Sequence, residues 1–112
     1  MITISVLILS YNHSNYIEKS LASVLQNTSD RYHLEIIITD DGSTDETVAK
    51  IKKLKIKGNA AVTLIERKHE GIRAIAKNFN EMIRISTGEY VCFLSGDDEY
   101  DKDRFTNQIV KL

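Results

Sequence analysis

The chain contains one cysteine, Cys92, and no proline. A single cysteine rules out a disulfide framework within the chain and fits a reducing compartment. Cys92 sits inside an apolar run and reads as a small core residue rather than a reactive thiol. The missing proline carries no functional reading. Net charge is also nearly missing, because 15 basic residues meet 16 acidic ones. That argues against a nucleic-acid partner recruited by a basic surface, and leaves room for a local anion site. No stretch reaches the roughly 18 apolar residues of a membrane span. The opening residues, "MITISV", have neither a basic region nor a small-residue cleavage site, so they do not read as a secretory leader.

What is present is one domain's length of chain, with no repeat and no linker. Ile2 to Leu9 is apolar and β-branched and reads as a buried strand. Asn15 and Glu18 have the spacing of a capping box, and Ile17, Leu21, Val24 and Leu25 then repeat at helical spacing to about Gln26. Leu34 to Thr39 is a second strand, apolar enough to be covered on both faces. Ser43-Thr44-Asp45-Glu46 forms another capping box ahead of Val48, Ile51 and Leu54, and Gly58-Asn59 stops that helix. Ala61 to Glu66 is a third strand. A third helix follows Gly71, with Ile72, Ile75, Ala76, Phe79, Met82 and Ile83 expected on one face. Glu89 to Leu94 is a fourth strand, and a fourth helix is expected from Asp103 to Lys111. Strands alternating with amphipathic helices predict a three-layer α/β/α fold with a mainly parallel, doubly wound sheet.

In such sheets ligands bind beyond the carboxyl ends of the strands. Here those ends read Leu9-Ser10-Tyr11-Asn12, Asp40-Asp41-Gly42-Ser43, Arg67-Lys68-His69-Glu70-Gly71 and Ser95-Gly96-Asp97-Asp98. A parallel sheet brings all four to one edge, so two Asp-Asp pairs share it. No G-x-G-x-x-G follows the first strand and no G-x-x-x-x-G-K-[ST] occurs, which disfavours a dinucleotide fold and a P-loop NTPase. Carboxylates collected at one edge suit a hard cation, and a cation suits a diphosphate.

Three stretches at this point resemble glycosyltransferase family 2, the inverting group with a GT-A fold that uses nucleotide-sugar donors. They are "SVLILSYNHSNYIEKSLASVLQNT" (5–28), "EIIITDDGSTDET" (35–47) and "TGEYVCFLSGDDEYDKDRF" (87–105), with a looser match in "HEGIRAIAKNFN" (69–80). The resemblance covers nearly the whole chain and specifies no substrate. It implies a donor site for a nucleotide-diphosphate sugar, a UDP-sugar first, with Ser10, Tyr11, Asp41, Ser95 and Gly96 as nucleotide-binding residues. Asp41 would accept the uracil imide N–H and Tyr11 would stack on the base. Asp97 matches the second acid of the family's D-x-D motif and would hold Mn²⁺ or Mg²⁺ between the donor phosphates, with Asp98 in support. The first D-x-D acid is Ser95 here, a departure that can still hydrogen-bond a ribose but adds no charge. Arg73 and Lys77 are the weaker candidates for phosphate contact. The three histidines, His13, His33 and His69, lack metal-site spacing and receive no role.

The family's catalytic domain is longer than this chain and carries its general base and acceptor site in the second half. The chain is therefore expected to be the donor half, weakly active or inactive alone, of an enzyme transferring sugar to a saccharide or lipid-linked acceptor. The resemblance places such enzymes in bacterial surface polysaccharide assembly at the cytoplasmic face of the membrane. Two other readings stay open: a non-catalytic nucleotide-binding module, favoured by Ser95, and a sugar-phosphate nucleotidyltransferase, disfavoured by a first loop without glycine or arginine.

Overall fold

The structure, a computed structural model, describes residues 2–56 and 58–96. Asp97, Asp98 and the helix expected at 103–111 lie outside the described residues. Within them the elements run β1 (Ile2–Ser10), α1 (Ile17–Leu25), β2 (Tyr32–Asp40), α2 (Thr47–Lys52), β3 (Ala60–Glu66), a 3₁₀ turn (Gly71–Ala74), α3 (Ile75–Ile85) and β4 (Tyr90–Ser95). The four strands form one sheet in the order β3-β2-β1-β4, and every neighbouring pair is parallel.

Strand periodicity divides the sheet into two cores. Ile4, Val6 and Ile8 of β1 join Leu34, Ile36 and Ile38 of β2 on one face, beneath Ile17, Leu21 and Val24 of α1 and Ile51 of α2. Leu7 and Ile37 face the other way, onto Met82 and the partly buried Phe79 of α3. The chain therefore winds from β1 through β3 over the first face and returns over the second to place β4 beside β1. The expected three-layer, doubly wound sheet is what forms. Its direction reverses between β1 and β4, so the ligand crevice of such a sheet falls beyond Ser10 and Ser95.

Several local expectations need correction. The Asn15–Glu18 capping box does not form. Asn15 is exposed, and α1 has no side-chain cap; the His13 carbonyl closes the turn by accepting the N–H groups of Tyr16 (2.9 Å) and Ile17 (2.8 Å). The Ser43–Glu46 box is replaced too, as Glu46 makes no cap bond and Asp45 accepts the Thr47 N–H at 2.9 Å. On α3 the buried positions are Asn78 and Met82, following Ala74 at a four-residue step. Ile72 is 87% exposed, and Ile75 and Ile83 are also exposed. The 3₁₀ turn explains Ile72, because its three-residue period puts that side chain out of step with the helix that follows.

At the amino end of the sheet, Glu35 ties three elements together. It accepts the Ser5 hydroxyl at 2.8 Å, the Thr87 N–H at 2.8 Å and the Thr87 hydroxyl at 2.7 Å. Burial pushes its carboxyl upward, but the hydrogen bonds from Thr87 and then Ser5 outweigh this and hold it below the ordinary value.

Candidate functional site

Asp40 ends β2 and Asp41 follows it directly, and their side chains turn to opposite faces. Asp40, 1% exposed, accepts the Ser10 hydroxyl at 2.8 Å, the Ser43 N–H at 2.8 Å and the Ser43 hydroxyl at 2.6 Å. Its charge is thereby matched inside the α1/α2 layer. Asp41 turns to the loop between β3 and α3. Its carboxylate accepts the N–H of Glu70 at 3.0 Å and of Gly71 at 2.9 Å. Buried carboxylates need such donors, and bonds to an ionised acceptor are the strong ones. Gly42 makes the close crossing possible: its φ is +71°, and a Cβ there would lie 2.6 Å from the His69 nitrogen.

That loop delivers His69 onto Tyr11. The two rings stack with centroids 4.2 Å apart and planes 20° apart. The His69 Nδ1 also lies 3.0 Å from the Asp41 carboxylate Oδ2 and 3.0 Å from the Asp41 carbonyl oxygen. Tyr11, Asp41 and His69 thus form one wall of an open cleft of about 390 Å³, with Leu9, His13 and Ser95 among its other lining residues.

The candidates separate in this geometry. Tyr11, Asp41 and Ser95 border the cleft together. Ser10 lies beneath it, fully buried, with its hydroxyl donated to Asp40 and its carbonyl accepting the Asp41 N–H. Gly96 is buried as well. Its N–H donates to the Leu9 carbonyl at 3.0 Å, and a Cβ would meet His13 Nδ1 at 2.6 Å, so it lets β4 close against the end of β1. Arg73 is exposed on the 3₁₀ turn and borders neither this cleft nor its neighbour. Lys77 lines the smaller neighbouring cleft of about 220 Å³, on the Arg67–Glu81 side of Asp41, and reaches Glu70 at 3.5 Å. Asp97 and Asp98 lie outside the described residues.

His69 lines this cleft although the sequence pattern assigned it no role, and Asn78, beside the phosphate candidate Lys77, lines it too. Asn78 is 5% exposed and lines both clefts. His69 stands in the edge cluster after β3, but nothing local in the sequence marks it as a stacking partner for Tyr11, 58 positions away.

The loops behind the cleft are laced together across the sheet edge. The Asn12 N–H donates to the Ser43 hydroxyl (2.9 Å), the Thr44 N–H to the Asn12 Oδ1 (2.8 Å) and the His13 N–H to the Thr47 hydroxyl (2.9 Å). The Ser14 N–H donates to Asp45 at 3.1 Å. Desolvation opposes the charge on Asp45, but the hydrogen bonds from Thr47 and then Ser14 together outweigh it and lower its carboxyl to about 2.

The described residues do not by themselves make a cation cage. Among them no three His, Cys, Asp or Glu converge, and the carboxylates of Asp40 and Asp41 already face hydroxyl and N–H donors.

A doubly wound parallel sheet with an aromatic-walled, largely apolar cleft at its switch point defines an α/β ligand-binding domain. Residues 5–112 match glycosyl transferase family 2, and the chain belongs to that family. It is 30% identical over 103 residues to the poly(ribitol-phosphate) beta-N-acetylglucosaminyltransferase TarS of Staphylococcus aureus, covering 92% of this chain and 18% of TarS. The crystal structure of TarS 1-349 in complex with UDP-GlcNAc superposes with a TM-score of 0.77 at 27% identity, over 96% of this chain and 31% of that one. The mannosyltransferase PcManGT from Pyrobaculum calidifontis, in complex with GDP-Man and Mn²⁺, gives 0.76 at 26% identity, over 95% and 31%. This chain therefore spans less than a third of each of these proteins.

Proposed function

We propose that the chain is the donor-binding part of an inverting glycosyltransferase that takes a UDP-sugar. The observation that carries this reading is the convergence of Tyr11, Asp41 and Ser95 on one cleft at the sheet's switch point. The ligands named for the structural neighbours, UDP-GlcNAc and GDP-Man, support it.

Each side chain has a chemical task in it. Tyr11 offers a ring face to the base, which gives affinity with little base selectivity. The Asp41 carboxylate is acceptor-only, so it favours a base with a ring N–H at that edge. Uracil has one; cytosine presents a bare ring nitrogen there. Ser95 offers a hydroxyl to a ribose hydroxyl. Asp97, with Asp98 in support, would hold Mn²⁺ or Mg²⁺, which neutralises charge on the departing nucleoside diphosphate. Inverting transfer also needs a base to deprotonate the hydroxyl of the saccharide or lipid-linked acceptor, a task given to none of Tyr11, Asp41 and Ser95. The chain alone then binds donor weakly and transfers little. Among the described residues no helix is long and apolar enough to cross a membrane; action at the cytoplasmic face is part of the proposal.

The test is a map of amide and ring NMR shifts during titration with UDP. Shifts concentrated at Tyr11, Asp41 and Ser95, and small at Arg73, support the reading. Shifts concentrated in the Lys77–Glu81 cleft, or none, would overturn it.

A further inference from the structure

We propose that His69 occupies the base slot in the free protein and that a donor must displace it. The inference rests on the donor-site reading of Tyr11 and Asp41. Two geometric facts carry it. His69 lies on Tyr11 as a nearly parallel ring, with centroids 4.2 Å apart. The same imidazole brings Nδ1 to 3.0 Å from the Asp41 Oδ2. A flat nitrogen heterocycle, stacked on Tyr11 and presenting a ring nitrogen to Asp41, describes both His69 and a bound base. The chain thus supplies an internal analogue of its own ligand.

The surroundings allow exchange. His69 has a side chain 48% exposed, while Asp41 is 7% exposed on the same measure. Asp41 is held by the N–H groups of Glu70 and Gly71, so it stays in place when the imidazole leaves. Tyr11 is itself 37% exposed and can keep its position under a new ring. The backbone at His69 is fixed by its close approach to Gly42, so displacement requires only rotation of the side chain.

A competing side chain lowers apparent affinity by the fraction of molecules with an open slot. Replacing His69 should therefore tighten binding. Calorimetric titration of the full chain with UDP is predicted to show His69→Ala binding about three- to tenfold tighter than wild type, given the strength of one ring stack and one hydrogen bond. His69→Asn, which keeps an N–H but not the ring, should fall between the two and serves if His69→Ala does not fold. In wild type, UDP should also remove the ring-current shift that Tyr11 imposes on the His69 ring protons. Unchanged or weaker binding by both variants, or a His69 shift that persists at saturation, overturns the proposal and makes His69 a fixed wall of the site. No UDP binding by wild type or variants overturns the donor-site reading, and this proposal with it.

Discussion

The Asp41 carboxylate holds the backbone N–H of Gly71 at 2.9 Å, joining the end of β2 to the start of the 3₁₀ turn across 30 residues. Its other oxygen holds Glu70 in the same way. One side chain therefore fixes the loop that carries His69 and forms a wall of the cleft. Asp41→Asn keeps the shape but turns one acceptor into a donor facing an N–H. It is expected to destabilise the fold by about 1–3 kcal/mol and to reduce the preference for UDP over CDP. Urea unfolding and paired titrations measure the two effects. Unchanged stability would contradict the structural role, and unchanged selectivity the base role.

Ser10 lies fully buried behind the cleft. Its hydroxyl is given to Asp40, away from the cleft. Ser10→Ala should cost about 1–2 kcal/mol, because Asp40 loses one donor while buried. It should leave the Kd for UDP unchanged. A large loss of UDP affinity in a stably folded Ser10→Ala protein would mean that this hydroxyl reaches the ligand.

Gly42 should not tolerate a side chain. At φ +71° an alanine is strained, and its Cβ would press on the His69 backbone at 2.6 Å. Gly42→Ala is expected to destabilise by more than about 1 kcal/mol and to disturb the Tyr11–His69 stack. Ring-proton NMR of Tyr11 and a denaturant midpoint check both.

Acid should weaken the fold through Asp45 and Glu35. Both carboxyls sit below their ordinary values in the folded chain, Asp45 at about 2 against 3.8. A depressed carboxyl contributes stability that is complete above its unfolded pKa and is lost as pH falls through its folded one. Stability from Asp45 should therefore decline from about pH 4 to about pH 2. Thermal midpoints across that range should fall less steeply in Asp45→Asn and in Glu35→Gln than in wild type. Equal slopes would contradict the assignment.

How much of this was readable in the sequence depends on the range of each interaction. The strands of β1 and β2 were plain because burial on both faces leaves near-continuous apolar runs, Ile4 to Leu9 and Leu34 to Thr39. The opposite aim of Asp40 and Asp41 is a consequence of strand period alone. The Ser43–Glu46 box failed because Ser43 and Asp45 found other partners. Ser43 serves Asp40 and Asn12, and Asp45 serves Ser14, a residue 31 positions away. The Asn12–Ser43 and Ser14–Asp45 pairs meet only after β1 and β2 align. The α3 stripe was read too wide, since the helix packs mainly over β1 and β2 and leaves Ile75 and Ile83 exposed. His69 was out of reach for the same reason as Ser43: its partners, Tyr11 and Asp41, lie on two other strands' ends.

We propose that this sheet edge binds a nucleoside diphosphate together with a divalent cation. The most direct measurement is calorimetric titration of the chain with UDP, with and without Mn²⁺, repeated on Asp97→Asn. Tighter binding with Mn²⁺, a gain lost in Asp97→Asn, is the predicted result. A folded chain that binds no nucleoside diphosphate under either condition would contradict it.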